Sequence, residues 1–324
     1  MTAAPSSSTC RTGYWQGLPA ATDVTYRFVV DNKTDIRDFL VTRRARITPE
    51  QAGLPDYGGT RRVAGLRREE VAMLAGVSVD YYVRLERGNL GGVSEGVLEA
   101  LVRALQLDET ERAHLFDLAR TANASVGTRR RPTASRVRPG VLRLLDSIAA
   151  PAWLRNGRMD ILATNVLGRA LYAPVFDGPL TPPNTARFAF LDPRAVDFWR
   201  DWNLIASGVV ATLRAEAGKN PYDRGLTDLI GELSTRSEEF RIRWAAHDVY
   251  QHTSGEKRLH HPVVGDLELT YEAMQLVTDE GLTLLVYGAE PGSKSADALG
   301  LLASWAATEA RESLALPIDE HHAG

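Results

Sequence analysis

The apolar residues change period along the chain, and that change constrains the fold more tightly than any other feature. From Asp35 to Arg120 every apolar run repeats at helical spacing. In "DIRDFLVTRRARI", Ile36, Phe39, Leu40 and Ile47 share one side, with Arg43, Arg44 and Arg46 elsewhere. "SEGVLEALVRALQL" opens on Ser94 as a cap and repeats Val97, Leu98, Leu101 and Leu105; "DETERAHLFDLAR" starts at Asp108 and buries Leu115 and Leu118. Five short helices without a strand signal predict an all-α bundle.

Beyond residue 141 the two periods mix. After a helix at "GVLRLLDSI", the stretch "PAWLRNGRMDILATNVLGRALY" predicts a strand, a hairpin turn at Asn156-Gly157, a second strand and a helix. "RAVDFWRDWNLIASGVVATLRAEAG" sets Trp199, Trp202, Ala206, Val209 and Leu213 at helical spacing, and "LTDLIGELSTRS" and "SEEFRIRWAAH" add two shorter helices. "EKRLHHPVVG", "DLELTYEAMQLV" and "LTLLVYGAE" then alternate, which predicts a three-stranded meander covered by a last helix at "SADALGLLASWA". Strand, strand, helix, a helical middle and three antiparallel strands is the order of a PAS-like α/β fold. The expected architecture is therefore two domains, a five-helix bundle followed by a PAS-like domain with an antiparallel sheet.

A length of 324 residues agrees with about two domains. The expected boundaries are a disordered tail over 1–33, the all-α bundle over 34–125, a basic linker over 126–140, the PAS-like domain over 141–310 and a C-terminal tail over 311–324. The start of the folded unit at "VDNKTDIRDFL" also predicts that translation begins near Val30. With Cys10 as its single cysteine the chain can form no internal disulfide and no Cys-x-x-Cys pair, and it has no long apolar run. A soluble cytoplasmic protein without membrane contact is expected.

Charge is divided unevenly. Residues 35–143 carry 19 Lys and Arg against 14 Asp and Glu, whereas 145–324 carry 16 against 25. Much of the basic excess lies in "RRRPTASRVR", where Arg129, Arg130, Arg131, Arg136 and Arg138 stand without an acid. This stretch reads as a solvated linker, or as a basic strap beside a polyanion.

Within the bundle, "RREEVAMLAGVSVDYYVRLERG" has a helix-turn-helix pattern. Ala72 is small where two helices meet, Gly76 ends the first helix in a conformation that penalises a side chain, and Val77, Tyr82 and Leu85 face inward. Ser78 is placed to cap the second helix, which leaves Val79, Asp80, Tyr81 and Arg84 on the outward side that can enter a major groove. Arg44, Arg61, Arg62, Arg67, Arg68 and Arg87 surround it as candidate phosphate contacts. Helix-turn-helix connections occur in any α-helical bundle, so the neighbourhood decides. "VAMLAGVSVDYYVRLERG" followed by "SEGVLEALVRALQLDETERAHLFDLA" resembles the Cro/CI-like, or XRE-type, helix-turn-helix domain over some 85 residues. That resemblance implies sequence-specific binding of double-stranded DNA by a homodimer whose half-sites lie about one helical turn apart. Val79 can meet a thymine methyl, Arg84 can pair with guanine and Asp80 can accept from cytosine. With about 1 to 3 kcal/mol per good pair, one copy discriminates poorly and a dimer is required.

The second domain carries its own resemblance. "FLDPRAVDFWRDW", "LIGELSTRSEEFRIRWAAHDV", "HHPVVGDLELTYEAM" and "LLVYGAEPGSKSADALGLL" resemble the ligand-binding domain of the MmyB-like transcriptional regulators, with Ile230 as a minor departure. With the bundle, the likeness runs from Asp35 to Trp305. It implies a PAS-like pocket and, in some relatives, a bound fatty acid. Five of the six tryptophans, Trp153, Trp199, Trp202, Trp244 and Trp305, lie in this domain; tryptophans at such spacing form a core or the walls of an apolar pocket. Trp153, Asn165, Trp202, Arg241, Trp244, His247 and Tyr271 are the candidate ligand residues. Arg241, Arg243 and His247 are candidate partners for a carboxylate, or else ion pairs of Glu238, Glu239 and Asp248.

The same residues give no enzyme and no cofactor. His247, His252, His260 and His261 lack metal-ligand spacing, and no nucleophile elbow, phosphate loop or paired-carboxylate motif occurs; "EPGSKSA" only superficially resembles a phosphate loop. His321 and His322 belong to a polar tail. The reading that results is a transcriptional regulator sensing a small apolar acid, such as a fatty acid. The alternatives are a DNA-binding protein whose second domain is a dry protein-interaction or dimerisation module, and an enzyme fused to a DNA-binding bundle.

Overall fold

The structure is a computed structural model that describes residues 32–55, 63–123, 137–178, 181–246 and 254–315. The first five helices are α1 (Asn32–Arg46), α2 (Arg68–Leu74), α3 (Val79–Glu86), α4 (Glu95–Ala104) and α5 (Glu109–Asn123). Their core is built from the apolar positions of the helical repeat, with Ile36, Phe39, Leu40, Leu85, Leu101, Leu115 and Leu118 almost wholly inaccessible to solvent. Gly76 stops α2 with φ +64, and the Gly76 and Val77 amides donate to the carbonyls of Met73 and Ala72, satisfying groups the ended helix leaves open. Ser78 and Ser94 cap α3 and α4 through their hydroxyls, which accept from the amides of Tyr81 and Val97.

Three carboxylates are buried among the described residues of this bundle, and each is paired, Asp117 with the exposed Arg120 one turn on in α5. Glu86, 2% exposed, accepts from Arg44 Nε at 2.8 Å and from Arg68, so the glutamate of "RLERG" ties α3 to α1 and α2. Glu111 pairs with Arg43 and Arg46, each at 2.9 Å. Arg43, expected away from the apolar side, is a buried residue: its guanidinium lies over the Phe39 ring, 5.0 Å from the centroid, and its charge is met by Glu111 of α5.

The second domain contains α6 (Pro139–Ser147), β1 (Ala152–Arg155), β2 (Ile161–Thr164), α7 (Val166–Leu171), α8 (Ala173–Phe176), α9 (Thr185–Leu191), α10 (Arg194–Phe198), α11 (Trp202–Lys219), α12 (Arg224–Arg236), α13 (Glu238–Ala245), β3 (Ser254–His261), β4 (Gly265–Gln275), β5 (Thr283–Gly288) and α14 (Lys294–Ala315). The strands form one antiparallel sheet in the order β2-β1-β5-β4-β3. Strand alternation divides the sheet by face. Ala152 and Leu154 turn outward into a small cluster with Leu145 of α6, whereas Trp153, Leu285 and Tyr287 turn inward to the main core under the helical middle.

Two local expectations differ from the structure. The connection between β1 and β2 spans Asn156 to Asp160, and its left-handed residue is Met159 (φ 65), not Asn156-Gly157. At Gly157 the Glu216 side chain closes in, and a Cβ there would lie 2.3 Å from its carboxyl carbon and require that side chain to move. The single helix expected from Arg194 to Gly218 is two helices. Between them Trp199 bridges Leu259 and the Arg200 amide donates to the Arg258 carbonyl, so the edge of β3 captures backbone that would otherwise continue the helix.

Candidate functional site

The outward face of α3 is the first candidate. Ser78 starts the helix, Val79, Asp80 and Arg84 are exposed and Tyr81 is half-buried. The Arg84 guanidinium lies 4.9 Å from the Tyr81 ring centroid, a stacking that holds its fork in one orientation before any partner arrives. Arg67, just before α2, and Arg87, just after α3, are exposed. Arg44 and Arg68, grouped with them from the sequence, are engaged otherwise. Both bind the buried Glu86, and Arg44 also donates to the Leu66 carbonyl, so Arg44 braces the bundle from within. Arg61 and Arg62 lie outside the described residues.

The second candidate is a cavity of about 170 Å³ between the inner face of the sheet and α11. Its walls are Trp153, Tyr271 and Leu285 on the strands, Trp199 before α11, and Ile205, Val209 and Thr212 on α11. Two cations reach the same space from neighbouring strands, Arg155 on β1 and Lys257 on β3. Arg155 Nε is buried without a hydrogen-bond partner, and burial pushes its pKa down. Lys257 donates to the Tyr287 hydroxyl at 2.9 Å and stands 4.5 Å from the Tyr271 ring centroid. Burial first, and then the charge of Arg155, lower the Lys257 pKa to about 7. Tyr287 in turn shares a hydrogen bond of 2.9 Å with Tyr172, and burial raises both phenol pKa values. Among the described residues neither Arg155 nor Lys257 has a carboxylate in ion-pair contact, although Glu216 acts on Arg155 through space. The exposed carboxylate Glu256 lines the same cavity, so two cations, one surface anion and apolar walls meet there.

The ligand residues expected from the sequence divide. Trp153 and Tyr271 line this cavity. Asn165 does not: it caps α7, its side-chain oxygen accepts from the amides of Gly168 and Ala152, and its amide donates to the carbonyls of Ile148 and Ala150, leaving no capacity for a ligand. Trp202 donates its indole NH to the Ala189 carbonyl and stacks on Arg243. Trp244 lies under the buried guanidinium of Arg214, at 4.1 Å, and packs on Phe240. Arg241 is a surface residue 3.8 Å from Glu238, and Arg243 reaches Ser207 and Asn203. Trp202, Trp244 and Arg243 lock α13 to α11 instead of facing the cavity, and the Arg241 pair lies within α13. Trp305 is 37% exposed on α14, and His247 lies outside the described residues.

Arg155, Lys257 and Tyr287 were not singled out from the sequence, though a signal for the first two existed. Period two places Arg155 on the face of Trp153, and Lys257 on the face of Leu259. A cation on the core-facing side of a strand requires a partner.

Among the described residues no group of His, Cys, Asp and Glu could hold a metal ion, and no helix is long and apolar enough to cross a membrane. Residues 58–115 match a helix-turn-helix domain family, and residues 137–302 match the MmyB-like transcription regulator ligand binding domain. No curated protein matches the chain. Since the second match covers just over half of the sequence and joins a helix-turn-helix domain in the same chain, the protein belongs to the MmyB-like transcription regulators.

Proposed function

We propose that this regulator binds its DNA operator as a homodimer and that the cavity of its second domain receives a small apolar acid of the fatty-acid type. The observation that carries the ligand class is the pair Arg155 and Lys257, two cations that among the described residues have no carboxylate in ion-pair contact, at a cavity with aromatic and aliphatic walls. A carboxylate takes up the free donors of Arg155 and restores full charge to Lys257, while Trp153, Trp199 and Val209 surround the chain. In the DNA-binding unit, over 34–125, Val79, Asp80, Tyr81 and Arg84 are assigned to base edges with Ser78 at the helix start. Arg61, Arg62, Arg67 and Arg87 are assigned to phosphates. Arg68 is half-exposed and serves a phosphate only while bound to Glu86.

The test uses decanoate as a probe. Decanoate is expected to quench the tryptophan fluorescence of the full chain saturably, and Arg155→Gln is expected to weaken that binding at least tenfold. Mass spectrometry of extracts from purified protein is expected to find an acyl acid. Equal decanoate affinity in the wild type and Arg155→Gln, or an apolar neutral compound as the only extracted species, would refute the assignment.

A further inference from the structure

One helix lines the cavity and also packs on the DNA-binding bundle. α11 runs 18 residues, about 27 Å at ~1.5 Å per residue. Its first half supplies Ile205, Gly208, Val209 and Thr212 to the cavity. Its last turn packs on α5 of the DNA-binding bundle. That contact is close: Thr121 of α5 donates its hydroxyl to the Gly218 carbonyl at 2.9 Å, and a Cβ on Gly218 would lie 3.0 Å from the His114 ring and 3.7 Å from Leu118. His114 meets Phe39 of α1 edge to face at 5.1 Å, Phe39 is 1% exposed, and α1 packs against α3.

We propose that α11 carries the state of the cavity to the DNA-binding bundle, with Gly218 against α5 as the point of transmission. A ligand between the sheet and α11 displaces the helix from one side. Packed helices move as rigid bodies because interiors have little free volume, so a displacement at Thr212 appears at Gly218 six residues further on. At Gly218 there is no slack to absorb it. The displacement passes to His114 and Phe39, and so to the helix that carries α3. The direction of motion is limited by Arg214, which stacks on Trp244 and donates to its carbonyl, keying α11 to α13 against rotation. This route takes its occupant from the acid-binding reading above, but the mechanical link is independent of what fills the cavity.

The experiment therefore fills the cavity in two ways, with decanoate and with Thr212→Leu. Operator DNA is first selected from random sequence by the wild-type chain. Operator affinity and amide hydrogen exchange over residues 109–123 are then measured in the wild type, in Gly218→Ala and in Thr121→Val, each with and without the filler. In the wild type either filler is expected to change operator affinity at least 5-fold, within the usual range of about 5- to 150-fold for coupled sites, and to change exchange in α5. In both variants the change is expected to shrink to less than twofold while decanoate still quenches tryptophan fluorescence. Thr121→Val adds no bulk, so it serves should Gly218→Ala misfold. Equal responses in all three proteins, or no response of α5 to Thr212→Leu in the wild type, would overturn the proposal. Failure of decanoate to bind, with Thr212→Leu still acting through α5, supports the route and refutes the acid reading alone.

Discussion

At the scale of single residues, the cavity is governed by the protonation of Lys257. In the empty protein its pKa falls to about 7, through burial and the neighbouring charge of Arg155, with Tyr271 and Tyr287 as the other groups facing it. The unfolded chain keeps Lys257 protonated to much higher pH, so between about 7 and the ordinary lysine range of about 10 it binds more protons than the folded one. Stability of the ligand-free protein therefore rises with pH over that window, and the penalty of the buried charge is fully present below it. Anion binding has the opposite slope. Below pH 7 the site is doubly cationic; above it a carboxylate must bring a proton with it, so decanoate affinity is expected to fall by up to about tenfold per pH unit. Isothermal titration across pH 6 to 9 measures this, and Lys257→Met is expected to flatten the profile. A wild-type profile that is already flat removes Lys257 from the site. Glu86 poses the reverse case, an anion between two arginines. Glu86→Ala leaves the half-buried Arg44 with only the Leu66 carbonyl as partner and is expected to cost about 2 to 4 kcal/mol, read as a lowered urea midpoint. Neither role was visible in the sequence before strand and helix phases were assigned, because a charged residue does not announce which face it occupies.

At the scale of elements, α3 depends on its two ends. Ser78→Ala removes the hydroxyl that accepts from Tyr81 and is expected to cost about 1 kcal/mol. Gly88→Ala is expected to cost more, about 1 to 3 kcal/mol, because Gly88 has φ +89 and a Cβ there would lie 2.3 Å from the Lys33 carbonyl oxygen of α1. Thermal denaturation ranks the two; a Gly88 variant as stable as the wild type shows that α1 can yield. These end signals, Gly76, Ser78, Ser94 and Gly88, are local, which is why the helices of the bundle were legible. The antiparallel strands and the covering last helix also followed from period and sequence order. The break between α10 and α11 was not legible, since the backbone of Trp199 and Arg200 is taken by β3, some sixty residues away. Which of the expected ligand residues would line the cavity was not legible for the same reason. Tryptophan spacing shows that a helix face is apolar, but whether that face meets a cavity, as Trp199 does, or another helix, as Trp202 and Trp244 do, is decided by tertiary packing.

At the scale of the whole molecule, charge separates the two tasks. The basic excess of residues 35–143 resides in the five arginines of "RRRPTASRVR", after the bundle that holds α3, and the half that holds the cavity carries an excess of acidic residues. Such a division orients the chain on a polyanion, with the second domain held away from the phosphates. It also separates two kinds of arginine by salt dependence. Each phosphate contact contributes about −0.9 to the slope of log K against log salt. Arg87→Ala in a dimer is therefore expected to make the slope shallower by about 2, weakening all DNA sequences alike. Arg84→Ala, stacked on Tyr81 and assigned to a guanine, is expected instead to relax discrimination at one position of each half-site by about 1 to 3 kcal/mol. Fluorescence anisotropy with the selected operator and a scrambled duplex, from 50 to 300 mM salt, distinguishes them. If Arg84→Ala changes the slope and leaves discrimination intact, then its guanidinium lies on the backbone, and α3 enters the groove rotated from the orientation that its exposed face implies.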